Sequence, residues 1–187
     1  MSWRITNSKM KQKRKSKLTN KDGILPSNSL MKISKKTEIR EDKGTIIRLS
    51  AGSELEILDT PLGKQPIYYG EVFISIKSRG GGGKYRTSCW MSEANYLSKN
   101  PDIFIKPSKE KNVDEFYAIS GDISIFEIDE KSITFTICVI HEGEKALIAY
   151  DSSAKNIRDR YKAKVMPFTN KEYSYVLKKF IDQRKWV

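Results

Sequence analysis

The first 21 residues carry eight basic side chains (Arg4, Lys9, Lys11, Lys13, Arg14, Lys15, Lys17 and Lys21) and no acidic one. A stretch of Lys, Ser and Asn with few apolar residues cannot bury enough surface to offset its ordering entropy, so a core must be built elsewhere. The remainder is unlike it. Residues 22–151 hold 17 basic and 20 acidic residues, and residues 152–187 hold 10 basic and three acidic ones. The net charge of +12 therefore belongs to the two ends, flanking a mildly acidic middle. At 187 residues the chain has room for one domain of ordinary size behind a tail. We place a basic, disordered tail over 1–42 and a β-rich domain with a C-terminal helix over 43–187, with a sub-boundary near 101–114 where Pro, Lys and Asn accumulate.

Strand patterns dominate the middle. Leu55 and Ile57 alternate with Glu54 and Glu56, as a strand with one wet face requires. Ile67–Lys77 reads as one long strand with Val72, Ile74 and Ile76 towards the core and Tyr69, Glu71, Phe73, Ser75 and Lys77 on the other side. Gly80 to Gly83 then reads as the loop of a hairpin returning through Tyr85–Met91, and Ser92 as the cap of a helical turn reaching Leu97. Further strands are expected at Phe116–Ile119, Asp122–Ile128, Ser132–His141 and Lys145–Tyr150, as an antiparallel meander. A short helix is expected over Ser153–Tyr161. Thr169 and Glu172 have the spacing of a capping box, and Tyr173, Val176, Leu177, Phe180 and Ile181 follow at helical spacing. The fold class is mainly β or α+β: a small antiparallel β-barrel or meander with a C-terminal amphipathic helix.

The segment from Ser53 through Val72–Ile76 to Trp90-Met91-Ser92 and Tyr96-Leu97 resembles bacterial SH3-like modules over about 45 residues. The resemblance implies a small barrel and carries no function with it.

Several function classes are disfavoured. Cys89, Cys138 and the single His141 cannot supply the four ligands of an ordinary zinc site, and two cysteines suit a reducing compartment better than a disulfide scaffold. The Arg79-to-Lys84 glycine run lacks P-loop spacing, since Tyr85 follows Lys84. No nucleophile–base pair can be assembled around His141, so the expectation is a non-enzyme with no cofactor and no metal. No apolar run is long enough for a transmembrane helix, and the basic start lacks the apolar segment of a secretory signal. The expected location is intracellular: cytoplasmic, or nuclear in a eukaryotic host, where Lys13-Arg14-Lys15-Ser16-Lys17 has the pattern of an import signal.

Basic charge favours anionic partners. The leading expectation is a nucleic-acid-binding accessory protein, DNA or RNA, of the ribonucleoprotein or viral or phage kind. Its phosphate contacts would come from Lys11, Lys13, Arg14, Lys15 and Lys17 in the tail, from Lys77, Arg79, Lys84 and Arg86 around the glycine loop, and from Arg158 and Arg160. Tyr69, Phe73 and Trp90 would add base stacking if they share the outward face of the hairpin. The competing expectation buries Phe73 and Trp90 beneath the C-terminal helix. The alternative function is a protein-interaction module, such as a viral or phage factor docking on a host complex, with the β middle as its contact surface. A membrane-peripheral protein ranks third, weakened by Ser2, which is not a myristoylation start.

Overall fold

A computed structural model describes residues 3–5, 30–41, 45–60, 63–76, 82–85, 90–93, 100–128 and 134–182. In chain order its strands are β1 (Trp3–Ile5), β2 (Leu30–Lys32), β3 (Thr37–Glu41), β4 (Ile46–Leu49), β5 (Glu54–Thr60), β6 (Gly63–Tyr69), β7 (Val72–Ser75), β8 (Gly82–Tyr85), β9 (Trp90–Glu93), β10 (Asp102–Pro107), β11 (Val113–Ser120), β12 (Ile123–Ile128), β13 (Thr134–Ile140), β14 (Glu144–Tyr150) and β15 (Tyr161–Pro167). A 3-10 turn at Ile157–Arg160 precedes β15, and helix α1 (Asn170–Val176) continues into a π-helical turn at Leu177–Ile181.

The strands form two sheets. The first runs β1-β3-β4-β7-β10-β11-β14-β15 and the second β13-β12-β9-β8-β6-β5-β2. Their facing sides share one apolar core. Ile39, Ile47, Ile74 and Ile103 come from the first sheet, and Leu55, Ile57, Tyr68, Ile123 and Ile125 from the second. The architecture is thus a β-sandwich, held chiefly by removing these side chains from water at about 1.5–3 kcal/mol each. The outer face of the first sheet carries a second, smaller core of Phe73, Phe104, Tyr117, Ile119, Val176 and Phe180, which α1 covers.

Several expectations change. Among the described residues neither a closed barrel, as the SH3-like resemblance implied, nor a meander forms, since successive strands change sheet. The hairpins β10–β11, β12–β13 and β14–β15 alternate between first, second and first sheet. The sandwich begins before position 43, since β2 and β3 belong to it. The 101–114 stretch is no boundary: Ile103, Phe104 and Ile105 are buried in β10, between β7 and β11. Ser92 lies in strand β9, and the expected Ser153–Tyr161 helix is present only as the 3-10 turn Ile157–Arg160, which leads into β15.

The single strand expected over Ile67–Lys77 is two strands. Gly70, at φ +99°, breaks it, and the chain passes from β6 in the second sheet to β7 in the first. A Cβ at Gly70 would sit 2.9 Å from the Ser53 Cα, so only glycine fits both the dihedral and the space. The hairpin drawn from this strand therefore does not exist. β8 pairs in parallel with β6 and antiparallel with β9.

Candidate protein-interaction surface

The outer face of the first sheet is organised by one row of paired residues: Glu38, Arg48, Phe73, Phe104, Tyr117, Lys145 and Met166, each opposite the next across adjacent strands. Acid and cation stand at one end, aromatic rings in the middle and a cation near the other end. Helix α1 has contacts along this row from both of its ends. At its start Thr169 and Glu172 form the capping box, with Thr169 N donating to Glu172 Oε2 at 2.7 Å. Lys145 Nζ reaches Glu172 Oε1 at 2.5 Å. Burial alone would raise the Glu172 pKa, but these donors and Tyr117 outweigh it and hold the carboxyl at about 2.

At the far end Arg48, only 6% exposed, donates Nε to Glu38 Oε2 at 2.8 Å and Nη1 to the Phe180 carbonyl. A cation here satisfies carbonyls that the end of a helix leaves without partners. Midway, Glu71 accepts from Tyr175 at 2.6 Å and from Lys179. Burial opposes the ionised form of Glu71, but the Lys179 and Tyr175 hydrogen bonds prevail and lower its pKa, while that of Lys179 rises. A cavity of about 290 Å³ beside the helix is lined by Phe104, Tyr117 and Tyr175 with Glu71, Lys106 and Glu172. Its carboxylates are already engaged, so it forms part of the helix attachment.

The helix departs from its expected face in a definable way. Val176 and Phe180 are buried and Ile181 packs beside them, whereas Tyr173 and Leu177 are each 41% exposed. The last turn widens, with Asp182 N donating to Leu177 O at 2.9 Å, five residues back. Lys179 turns to Glu71.

The other notable surface is the flank ending in β15. Its residues Lys162, Ala163, Lys164 and Val165 are all exposed. A neighbouring cleft of about 320 Å³ is lined by Lys111, Asn112, Tyr150, Asp151, Arg160 and Lys162, among others. Arg160 Nε donates to Ala154 O at 2.9 Å, and Arg158 lies 5.4 Å over the Phe135 ring. One end of the flank is closed by Tyr161, whose ring packs at a tilt against Tyr150 and Phe135 and whose hydroxyl donates to Glu127 at 2.9 Å.

Those of the expected nucleic-acid contacts that lie among the described residues are spread over both sheets. Phe73 packs under α1, with its ring 6.4 Å from Phe180, and has no surface for a base to stack on. Tyr69 ends β6 in the other sheet and packs partly against the main core. Lys84 and Trp90 are opposite one another on β8 and β9, so neither shares a sheet with Phe73. Lys11, Lys13, Arg14, Lys15, Lys17, Lys77, Arg79 and Arg86 lie outside the described residues. Arg158 and Arg160 do cluster, with Lys162, beside β15. Sequence reasoning missed β15 itself, although Tyr161, Ala163 and Val165 alternate with Lys162 and Lys164 at the period of a strand.

Among the described residues no group of His, Cys, Asp and Glu is placed to hold a metal ion, and no helix is long and apolar enough to cross a membrane. Cys138 is half-buried, and burial pushes its thiol up to about 11.

No family model matches the sequence, and no curated protein matches it. Two crystal structures do share its fold, both of a protein from Parabacteroides distasonis described as a putative anti-sigma factor. The TM-scores are 0.54 and 0.52 at 10% and 11% identity, each over 81% of this chain. This chain spans 65% of the length of those neighbours. The likeness concerns the fold. Together with the burial of Phe73 and the loss of the hairpin, it overturns the nucleic-acid-binding reading and the ribonucleoprotein, viral or phage setting drawn with it. The protein-interaction alternative fits these findings better.

Proposed function

We propose that this chain is a non-enzymatic protein-interaction module in a regulatory system, with a sigma factor as its partner. The observation that carries the proposal is the sandwich held in common with the Parabacteroides distasonis structures over 81% of the chain. A sigma-factor partner requires the binding surface to face the inside of the cell, so the intracellular location belongs to the same proposal.

The test is reconstitution from purified components. Each sigma factor of the source genome is mixed with the full chain and with a version lacking residues 1–21, at low and at high salt. A stable pair that survives high salt and tail deletion supports a docking surface on the sandwich. Failure of every sigma factor to form a pair contradicts the proposal.

A further inference from the structure

We propose that β15 is a docking edge that accepts an extended acidic segment of the partner protein as an added strand. The inference rests on the protein-binding reading above and specifies how that binding is made.

The backbone comes first. Among the described residues β15 closes the order of the first sheet and pairs with β14 alone. Asp151 N donates to Arg160 O at 2.8 Å, and Phe168 N donates to Gly143 O at 3.1 Å. These bonds fix the phase of the ladder between them. Lys162, Lys164 and Met166 sit at hydrogen-bonded pairs opposite Ala149, Leu147 and Lys145. Alternation then turns the N–H and C=O groups of Ala163 and Val165 away from β14, towards the open edge. Among the described residues no ladder joins β15 to β13, the end strand of the second sheet, although β13 packs close beside it.

The side chains come next. Ala163 and Val165 lie opposite Ile148 and Ala146, on the side that faces the core, yet Val165 is 40% exposed because it stands at the rim. Lys162 and Lys164 occupy the other side, and among the described residues neither has a carboxylate within ion-pair distance. The nearby Asp151 accepts from Ser153, through Oγ at 2.6 Å and N at 2.9 Å, and also feels the charge of Lys162 without closing to an ion pair. Arg160 and Lys111 extend the positive field around the cleft.

An incoming strand therefore meets cations on one side and apolar rim on the other. The segment that fits alternates acidic residues, opposite Lys162 and Lys164, with small or β-branched ones over Ala163 and Val165. A second copy of this chain fits worse. Pairing β15 with another β15 would bring their lysines together across the strands, and like charges placed so repel.

The probe is an end-capped peptide of about seven residues alternating Asp and Val, titrated against the full chain at low salt. A shuffled peptide with its acids in one block and an alternating Lys/Val peptide serve as controls. The alternating acidic peptide is expected to bind and both controls to bind at least about tenfold more weakly. Ala163→Pro removes an outward N–H without touching the β14 ladder and should lower affinity at least about tenfold. Lys162→Glu with Lys164→Glu should reverse the preference towards the Lys/Val peptide. Equal affinity for the shuffled peptide overturns the proposal, as does unchanged affinity in either variant. A dimer that dissociates on dilution and is lost in Ala163→Pro overturns it in favour of a second copy. A sigma factor that binds the Ala163→Pro chain as tightly as the original removes the edge but leaves the protein-binding reading standing. Peptide binding as predicted with no sigma-factor pair does the reverse.

Discussion

The two ends of the first sheet treat their charges in opposite ways. Over β4, β7, β10 and β11 the outer face is covered, and its ionised groups are engaged: Arg48 with Glu38, Lys179 with Glu71, and Lys145 with Glu172. On β15 four consecutive residues are exposed, the described residues place no carboxylate in a close ion pair with Lys162 or Lys164 although Asp151 lies near Lys162, and alternate backbone groups point off the sheet. Both regions are rich in Lys and Arg, so cation content alone says nothing of their roles. Geometry separates them. Where a carboxylate and a hydrophobic row lie within reach, the cation becomes part of the fold. Where neither does, it remains available to a partner. Local rules that go unmet in an otherwise well-satisfied fold are the places to look for function.

The largest expected effect breaks the covered end. Arg48→Ala leaves the buried Glu38 carboxylate with Arg40, at 2.8 Å, in place of two arginines, and removes a donor to the Phe180 carbonyl. It should cost about 2–4 kcal/mol, read as a fall in the denaturant midpoint. Replacing Arg48 by Met and Glu38 by Leu together should restore much of that loss, since neither charge then remains unpaired.

Next comes the crossing between the sheets. Gly70→Ala forces a side chain into the left-handed region and against the Ser53 backbone. A loss of about 1–3 kcal/mol is expected in thermal unfolding. A neutral result would mean that the chain does not cross there as described.

A third prediction uses pH. The Glu172 carboxyl, near 4.5 when unperturbed, is held at about 2 in the folded chain. Between those values the unfolded state binds more protons, so the contribution is complete above about pH 4.5 and lost as pH falls towards 2. With partial exposure taken into account, Glu172 should contribute about 1–2 kcal/mol at neutral pH. Glu172→Gln should therefore unfold earlier at pH 7, and its deficit relative to the original chain should shrink on acidification. A deficit independent of pH would show that charge is not what holds the start of α1.

The smallest effect belongs to the open edge. Lys162→Glu with Lys164→Glu should change stability by no more than about 0.5 kcal/mol, because both side chains stand in solvent. A large stability change in the melting curve would mean that these lysines serve the fold, and the contrast between the two ends would fail.

How much of this was legible in the sequence differs by element. The Glu54–Ile57 alternation, the opposed faces of Val72 and Phe73, and the Thr169–Glu172 cap each depend on neighbours close in the chain, and each appears in the structure. The division at Gly70 was hidden because apolar alternation continues on both sides of it, and only the φ of +99° reveals the change of sheet. Strand β10 was masked by the Pro and Lys residues around Ile103–Ile105. On β15 the charge pattern drew attention away from the strand period: Lys162 and Lys164 read as part of a basic cluster before they read as alternate positions. The row from Glu38 to Lys145 could not be foreseen, since its members come from six different strands brought into register only by folding.

The most direct test of the central claim is residue-resolved amide exchange along β15, with and without the bound partner protein. In the free chain the Lys162 and Lys164 amides should be protected by β14, while those of Ala163 and Val165 exchange quickly. On binding, Ala163 and Val165 should become protected and the β14 ladder should change little. Protection gained on α1 or on the second sheet, with Ala163 and Val165 still exchanging freely, would contradict the account.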